Sequence, residues 1–459
     1  MYKSDTIAAI STPPGEGAIG IIRLSGPDAG EIVSGIFKPV NPKSWNQATS
    51  YTLHLGTLSF RSQELDQVIV SVMKAPHTYT GEDVIEINCH GGWLILNRIL
   101  DTVIGLGARL AEPGEFTKRA FLNGKMQLSQ AEAVVDLIRA KTEQAAQIAI
   151  RQLKPSGVKK IMDIRDTIVD CLCHIEANLD FSDQHLDTKP ASIISDNLGN
   201  VRKLIENTID SAKKARIFRN GIHITIVGKT NAGKSSLANL LTDNKKIIVT
   251  SVPGTTRDVI EEVINICGIP VVIADTAGIR IHSGKVEELG QKKTKEKVKT
   301  TDVVLAVFDL ARKFGPDDKK TIRYIKKKKG IIVFNKRDLK QRLETPDITE
   351  KLPGWPVVEI SAKKQRDTEK VKQTIYKFLM EDRDFDIESV FISNSRQINI
   401  LESALTSLNS ASNALKEGIP EDIVSIELNE ALKAIDRLTG READDAVLDR
   451  VFSKFCVGK

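Results

Sequence analysis

The stretch of the chain with the clearest chemistry is Gly228-Lys229-Thr230-Asn231-Ala232-Gly233-Lys234-Ser235. Two glycines enclose four residues and are followed by a lysine and a hydroxyl. That is the spacing of a loop whose backbone amides wrap phosphates. An apolar run at residues 222–227 precedes it and Ser236-Leu237 follows. These supply the strand and helix the loop requires, and the helix N-terminus adds positive potential. Asn231, Ala232, Gly233, Lys234, Ser235 and Ser236 are then expected to contact a nucleotide. Lys234 is expected to act as a catalytic cation on the outer phosphates, and Ser235 to ligate Mg2+.

Three further motifs follow in order, each after a strand-like run. Residues 271–274 lead into Asp275-Thr276-Ala277-Gly278, where the aspartate can hold the Mg2+ shell and the Gly278 amide can meet the last phosphate. Residues 330–334 lead into Asn335-Lys336-Arg337-Asp338. A carboxylate at Asp338 accepts the ring N–H and exocyclic amine of guanine. Adenine presents no such pair of donors, so the motif selects GTP. Residues 357–360 lead into Ser361-Ala362-Lys363, the loop expected to close over the base. Between the first two motifs, Gly254-Thr255-Thr256-Arg257-Asp258 is placed as a switch in which Thr256 meets Mg2+. Ras-type enzymes orient the attacking water with a glutamine just after the DxxG element. Here Ile279 stands there and cannot bond a water. Catalysis must recruit Glu287, Glu288, Arg280, Arg257, a bound cation or a partner.

Positioning these motifs requires strand–loop–helix alternation, which the pattern predicts from residue 217 to 383 as an inserted Ras-like α/β P-loop domain. Residues 1–124 read as an α+β domain, with strands at 5–11, 19–24, 68–73 and 84–88. Helical sequence begins at Leu128, with Ser129 and Glu132 in capping-box spacing and Ala131, Val134, Val135 and Ile138 as its stripe. It resumes after residue 384 with two stripes. One is Ile398, Leu401, Leu405, Leu408 and Leu415; the other is Ile423, Ile426, Ala431, Ile435 and Leu438. Neither block has an obvious core of its own, so 125–216 and 384–459 are expected to form one discontinuous all-α bundle domain. The fold class is therefore multidomain: α+β, all-α bundle and inserted α/β.

The 459 residues carry a formal charge of +6, with 41% hydrophobic and 27% charged residues. This permits an RNA partner without demanding one. No run approaches the ~20 apolar residues of a membrane span, and no signal or transit peptide pattern opens the chain. No membrane association and a cytoplasmic location are expected. Five cysteines at irregular spacing argue against a disulfide framework. Cys171-Leu172-Cys173-His174 reads as ordinary buried thiols rather than a zinc site, since positions two apart point to different helix faces. Gly15-Glu16-Gly17-Ala18-Ile19-Gly20 spells a dinucleotide pattern, but a strand rather than a helix follows it. The lysine-rich stretches at 292–299 and 326–329 read as solvated faces, with RNA contact as the alternative.

Three blocks then resemble the MnmE (TrmE) family of tRNA-modification GTPases from end to end. The first joins Thr12-Pro13-Pro14-Gly15-Glu16-Gly17 and Arg23-Leu24-Ser25-Gly26 to Tyr79-Thr80-Gly81-Glu82 and Pro113-Gly114-Glu115-Phe116-Thr117-Lys118-Arg119. The second is the GTPase domain with Asn231 and Gly254-Thr255-Thr256-Arg257-Asp258. The third is the ending Phe455-Cys456-Val457-Gly458-Lys459, with valine where isoleucine is usual. Other departures are Lys229-Thr230 in place of Arg-Pro, and Pro253 in place of a small residue.

The resemblance implies that K+ joins two GTPase domains, with ligands at Asn231, Thr250, Val252 and Thr255. It also implies that Glu287 positions the water. The GTP-contacting loop would run through Thr250, Ser251, Val252, Pro253, Gly254, Thr255 and Thr256. It implies folate-contacting positions at Arg23, Glu86, Lys125 and Lys459 for a 5-formyl-tetrahydrofolate-type one-carbon carrier, and a cysteine, Cys456, that matters for modification. The implied assembly is a homodimer working with a flavin-bearing MnmG (GidA)-type protein to add a carboxymethylaminomethyl-type group at the wobble uridine of certain tRNAs. The rival reading is a ribosome-assembly or regulatory GTPase with no covalent product. Against ribosome assembly, no Gly-x-x-Gly clamp of a KH domain follows the GTPase motifs.

Overall fold

Strand β1 (Ile7–Ile10) is apolar without alternation, because both of its faces are covered. Ala8 faces one core with Ile22, Leu24, Val70, Ile87 and Ile99. Ile7 and Ala9 face a second with Ala111 and Phe116. The computed structural model describes residues 5–180, 191–242, 246–247, 263–274, 301–381 and 385–459. The chain divides into two units, and β1 lies in the first: Met1–Val135, Val158–Leu198 and Thr406–Lys459.

In that unit, β2 (Gly17–Ser25), β3 (Phe37–Pro39), β4 (Thr52–Phe60), β5 (Gln63–Met73), β6 (Val84–Gly91) and β7 (Arg109–Leu110) complete a seven-stranded sheet ordered β3-β4-β5-β6-β2-β1-β7. All neighbours are antiparallel except β1 and β7. Along β5 the buried Val68, Val70 and Val72 alternate with more exposed residues, so one face meets the core under the helix Trp93–Gly105. The residues after Gly20 form β2 rather than a helix, as the sequence indicates. Arg119 is 1% exposed and sits among Asp5 at 2.7 Å, Glu82 at 3.0 Å and Glu115 at 3.1 Å. It thereby ties the start of β1 to the helix Glu115–Leu122.

Helix Leu128–Arg139 corrects the capping-box expectation. It begins before Ser129, so Ser129 and Glu132 lie buried in its first turns. The reach-back is made by Gln130, whose Oε1 accepts the Gln127 N–H at 2.9 Å. Ile138 is 49% exposed rather than core. Its partners Ala131, Val134 and Val135 pack with Leu448, Val451, Phe452 and Phe455 of the chain's end. Helix Pro155–Asp180 is joined to helix Glu421–Thr439 by Arg165–Asp436 at 2.7 Å. The latter buries Val424, Leu428, Ala431, Ile435 and Leu438. Ala431, Ile435 and Leu438 are buried as expected, whereas Ile423 and Ile426 point outward because Val424 and Leu428 take the buried face in the helix's first half.

The second unit holds 136–157 and 199–405. Its strands are β8 (Ile222–Gly228), β9 (Lys246–Ile247), β10 (Val263–Ile266), β11 (Ile269–Ala274), β12 (Val303–Asp309), β13 (Gly330–Asn335) and β14 (Val357–Glu359), ordered β14-β13-β12-β8-β11-β10-β9. β8 runs parallel to β11 and β12, and β13 runs parallel to β12 and β14. β10 is antiparallel to both its neighbours. β13 shows why such strands read as unbroken apolar runs. Ile331 and Val333 enter one core while Ile332 and Phe334 enter the other. β8 is flanked by strands that follow it in opposite directions across the sheet. Its carboxyl end is therefore the crevice where ligands of such folds bind. The α+β, helical and parallel-sheet parts expected from the sequence are all present.

Candidate functional site

β8 ends at Gly228 with φ 152°, where a Cβ would collide with the Val307 carbonyl of β12. The loop continues through Asn231 at φ 62° and Gly233 at φ 100°, both in the left-handed region. A side chain at Gly233 would strike Asn335 Nδ2. These constraints explain why the motif keeps its glycines: neighbouring backbone and Asn335 occupy the space of a Cβ. Lys234 opens the helix Lys234–Thr242, and its Nζ donates to the Gly228 and Lys229 carbonyls at 2.9 Å each. Burial pushes its ammonium down from the ordinary lysine range. Ser235 and Ser236 are exposed in the first turn of that helix, where an oxygen-preferring cation or phosphate can reach them.

β13 delivers the next motif beside this loop. Asn335 is 2% exposed and works in both directions: its Nδ2 donates to the Ala232 carbonyl at 2.8 Å. Its Oδ1 accepts the Lys336 N–H at 2.8 Å and the Ala362 N–H at 2.9 Å. One side chain thus links the phosphate loop, the base-edge loop and the base-closing loop. Arg337 N–H donates to the Ile360 carbonyl at 3.1 Å, which adds a backbone link. The Ser361 side chain faces Asp338, and this together with Asp338's own backbone amide holds the exposed Asp338 carboxyl below its usual range. Asp338 is therefore an ionised acceptor near neutral pH, as reading a guanine edge requires. Lys363 is exposed beside it.

Two carboxylates outside the motifs steady this loop, and the sequence reading missed both. Asp309, at the end of β12, binds Lys336 Nζ at 2.6 Å. Asp367 is fully buried, and its Oδ2 accepts the Ser361 N–H at 2.7 Å. Asp309 had a signal, since it closes the apolar run of β12. Asp367 had none; a charged residue in a polar loop reads as solvated.

Thr250, Ser251, Val252, Pro253, Gly254, Thr255, Thr256, Asp275, Thr276, Ala277, Gly278, Ile279 and Glu287 lie outside the described residues. The structure shows β11 up to Ala274, directly before Asp275.

In the first unit a second cluster forms at the chain's end. Arg23 of β2 pairs with Glu86 of β6 at 2.7 Å, across the register Arg23↔Glu86. Its other guanidinium arm donates to the Gly458 carbonyl at 3.2 Å, as does the Ser11 hydroxyl at 3.2 Å. Burial pushes the Lys459 ammonium down and the Arg23 charge acts in the same sense. Arg23, Glu86 and Lys459 are thus brought together. Lys125 instead donates to the Pro76 carbonyl at 2.9 Å. Cys456 is exposed, and its carbonyl accepts from the Gly114 N–H at 3.4 Å. On the helix Pro155–Asp180, Cys171 is buried as expected, but Cys173 is exposed rather than buried, because a position two residues along lies on another helix face. The lysines at 326, 327 and 329 are exposed, while the stretch at 292–299 lies outside the described residues.

Residues 6–125 match the family model described as GTP-binding protein TrmE N-terminus, and residues 128–456 match that of the MnmE helical domain. A tRNA modification GTPase MnmE of Carboxydothermus hydrogenoformans is 45% identical over 458 residues, 99% of each chain. The chain belongs to the MnmE family of tRNA modification GTPases. It is accordingly a GTP-hydrolysing enzyme. MnmE proteins of Thermoanaerobacter pseudethanolicus and Desulforamulus reducens are 42% and 41% identical, again over 99% of each chain. A solved structure of Era from Aquifex aeolicus covers 40% of this chain and 66% of its own at 28% identity. Its TM-score of 0.27 is too low to carry an argument. Among the described residues no helix is long and apolar enough to cross a membrane.

Proposed function

We propose that this MnmE-family enzyme hydrolyses GTP to drive the addition of a carboxymethylaminomethyl-type group to C5 of the wobble uridine of certain tRNAs. It would act as a homodimer with a flavin-dependent MnmG (GidA)-type partner in the cytoplasm. The observation that carries the nucleotide half is Asn335 joining three loops while Ser361 steadies Asp338. That arrangement supports a pocket that grips phosphates at one end and a guanine edge at the other. Family membership supports the tRNA half.

The proposed organisation is an N-terminal domain at 1–124, a GTPase domain at 217–383, and a helical domain of 125–216 with 384–459. Asn231, Ala232, Gly233, Lys234, Ser235 and Ser236 would hold the phosphates. Asn335, Lys336, Asp338, Ser361, Ala362 and Lys363 would hold the base. The loops 250–256 and 275–278 would respond to the last phosphate.

Mg2+ would be held by Ser235 and Thr256, and K+ by Asn231, Thr250, Val252 and Thr255. The exposed hydroxyl of Ser235 and the left-handed Asn231 are oxygen donors that fit hard cations. When bound, these ions neutralise charge developing on the transferred phosphoryl group. Lys234 would brace the phosphates and Glu287 would orient the water, a division of labour that accounts for Ile279. Faster turnover in K+ than in Na+, lost in Glu287→Ala, is the expected signature.

Arg23, Glu86 and Lys459, with Lys125, would take a 5-formyl-tetrahydrofolate-type carrier. The paired Arg23–Glu86 face and the part-buried Lys459 ammonium fit a pterin edge and an anionic tail. Cys456 would act beside it. The deciding experiment is a nucleoside profile of tRNA from cells lacking the protein. Loss of the modified wobble uridine, restored by the gene, is expected; an unchanged profile would remove this reading in favour of a switch without covalent product.

A further inference from the structure

Asp367 belongs to neither of the loops proposed to hold the guanine base, yet it lies beneath both. It is 0% exposed and stands six residues beyond Ser361, directly before the helix Thr368–Met380. Its Oδ2 accepts the Ser361 N–H at 2.7 Å. Its Oδ1 has no hydrogen-bond partner and faces Arg337 Nη2 at 3.6 Å. The turn between them is closed on itself: Lys364 N–H donates to the Ser361 carbonyl at 2.8 Å, and Asp367 N–H to the Lys364 carbonyl at 3.0 Å. A carboxylate kept from water is costly unless its charge is met. Here it is met by one amide and by a guanidinium just beyond bonding distance. The amide it holds belongs to Ser361, the residue whose side chain faces Asp338. The guanidinium it faces belongs to Arg337, the immediate neighbour of Asp338. Both routes from Asp367 therefore end at the same carboxylate.

We propose that Asp367 is a positioning residue for guanine recognition. Through Ser361 it aims Asp338, and through Arg337 it holds the base-edge loop against the base-closing loop. This rests on the reading of Asp338 as the acceptor of the guanine edge. The phosphate loop reaches these loops through Asn335 instead, so Asp367 acts on how long and how selectively the base is held. It does not act on the hydrolytic step.

The test is stopped-flow release of fluorescently labelled GDP from the full-length protein, with competition by GDP and IDP, whose base lacks the exocyclic amine. Asp367→Ala removes the acceptor of the Ser361 amide. It is expected to speed GDP release about tenfold, the scale of a lost hydrogen bond to a charged group. It should also shrink the preference for GDP over IDP, with kcat at saturating GTP within about twofold of the parent. Asp367→Asn keeps an oxygen for that amide and should recover most of both. A folded Asp367→Ala protein with parental release and parental GDP/IDP ratio overturns the proposal. So does a matching fall in kcat and affinity that Asp367→Asn does not relieve.

If Asp367→Ala fails to fold, the exposed Arg337 serves. Arg337→Met should speed release severalfold, and parental kinetics there would equally overturn the proposal. Asp338→Asn is the separate control: if that variant still prefers GDP to XDP, the reading of Asp338 fails, whatever Asp367 does.

Discussion

The two units build their candidate sites in opposite ways. In the second unit's sheet, the parallel strands β8, β13 and β14 each end in a short motif, and neighbouring strand ends bring these motifs together. Every contact from the Ala232 carbonyl to the Ser361 amide is made by residues inside a motif or a few positions from one. In the antiparallel sheet the cluster is assembled from remote pieces. Arg23 and Glu86 meet across a ladder, and the acceptor they share space with is Gly458, 435 residues from Arg23. Parallel strands, whose carboxyl ends lie on one side of the sheet, gather loops by topology alone. An antiparallel sheet offers a flat face instead, and here the end of the chain supplies what the strands lack. The first kind of site should fail through a single group that reads the ligand. The second should fail through whatever docks its parts.

The largest effect expected is on the motif-built site. Asp338→Asn replaces the acceptor pair with a mixed donor and acceptor, and should weaken GDP binding at least about a hundredfold. Binding of XDP, whose base presents the complementary edge, should strengthen. Fluorescence titration of both nucleotides measures this, and equal GDP affinity in the variant would refute the assignment.

Next is the anchor of the first unit. Arg119→Leu removes the buried cation shared by Asp5, Glu82 and Glu115, leaving Arg109 to pair with Asp5 and Glu115 only. It should cost about 3–5 kcal/mol, the scale for breaking a buried ion pair. The loss should appear in thermal unfolding of the first unit while GDP affinity stays at the parental value. Loss of GDP binding as well would contradict the contrast between the two sites.

Removing Gly458 and Lys459 takes away the acceptor of Arg23 and Ser11. Affinity for 5-formyl-tetrahydrofolate, read by calorimetry, should fall about tenfold, the scale of one or two charge-assisted bonds. GTP turnover should be unaffected, and unchanged folate affinity would detach the chain's end from that site.

The smallest effect concerns pH. Arg109 hydrogen-bonds Asp5 and, against a lesser cost of burial, holds its carboxyl below the ordinary 3.8. Burial pushes Glu115 up, but Arg109, the Glu112 amide and Arg119 together hold it below 4.5. Carboxyls depressed on folding add stability that is present above those ordinary values and is lost as the pH falls through the folded ones. Unfolding temperature of the first unit should therefore be flat from pH 7 to about 5 and decline below about 4.5. Asp5→Asn should make that decline shallower, and an identical acid slope in the variant would exclude Asp5 as a contributor.

The motifs proposed to bind guanine nucleotide stand out in the sequence because their glycines, lysine, amide and carboxylate stand at fixed offsets after a strand. Spacing along the chain is there nearly the same thing as arrangement in space. The decoy at Gly15–Gly20 could be dismissed for the same reason, since β2 rather than a helix follows it. Helix faces were legible less exactly. Ile423 and Ile426 fit an apolar stripe, but the buried face carries Val424 and Leu428. A periodicity of 3.6 tolerates a one-residue rotation that only packing resolves. The cap at Gln127 and Gln130 was hidden behind a better-looking Ser129–Glu132 pair two residues along.

By itself the sequence determined the motifs that point to a phosphate loop, to a guanine-selecting carboxylate at Asp338 and to a hydrolytic site without the usual glutamine. Each of those is a local arrangement of residue types. Only the tertiary structure decided that Gly458 closes on Arg23, that Asp309 steadies Lys336, and that Asp367 is buried beneath the base loops. Those contacts depend on which surfaces exclude water and which distant segments meet. A carboxylate's role is set by that exclusion rather than by its neighbours in sequence.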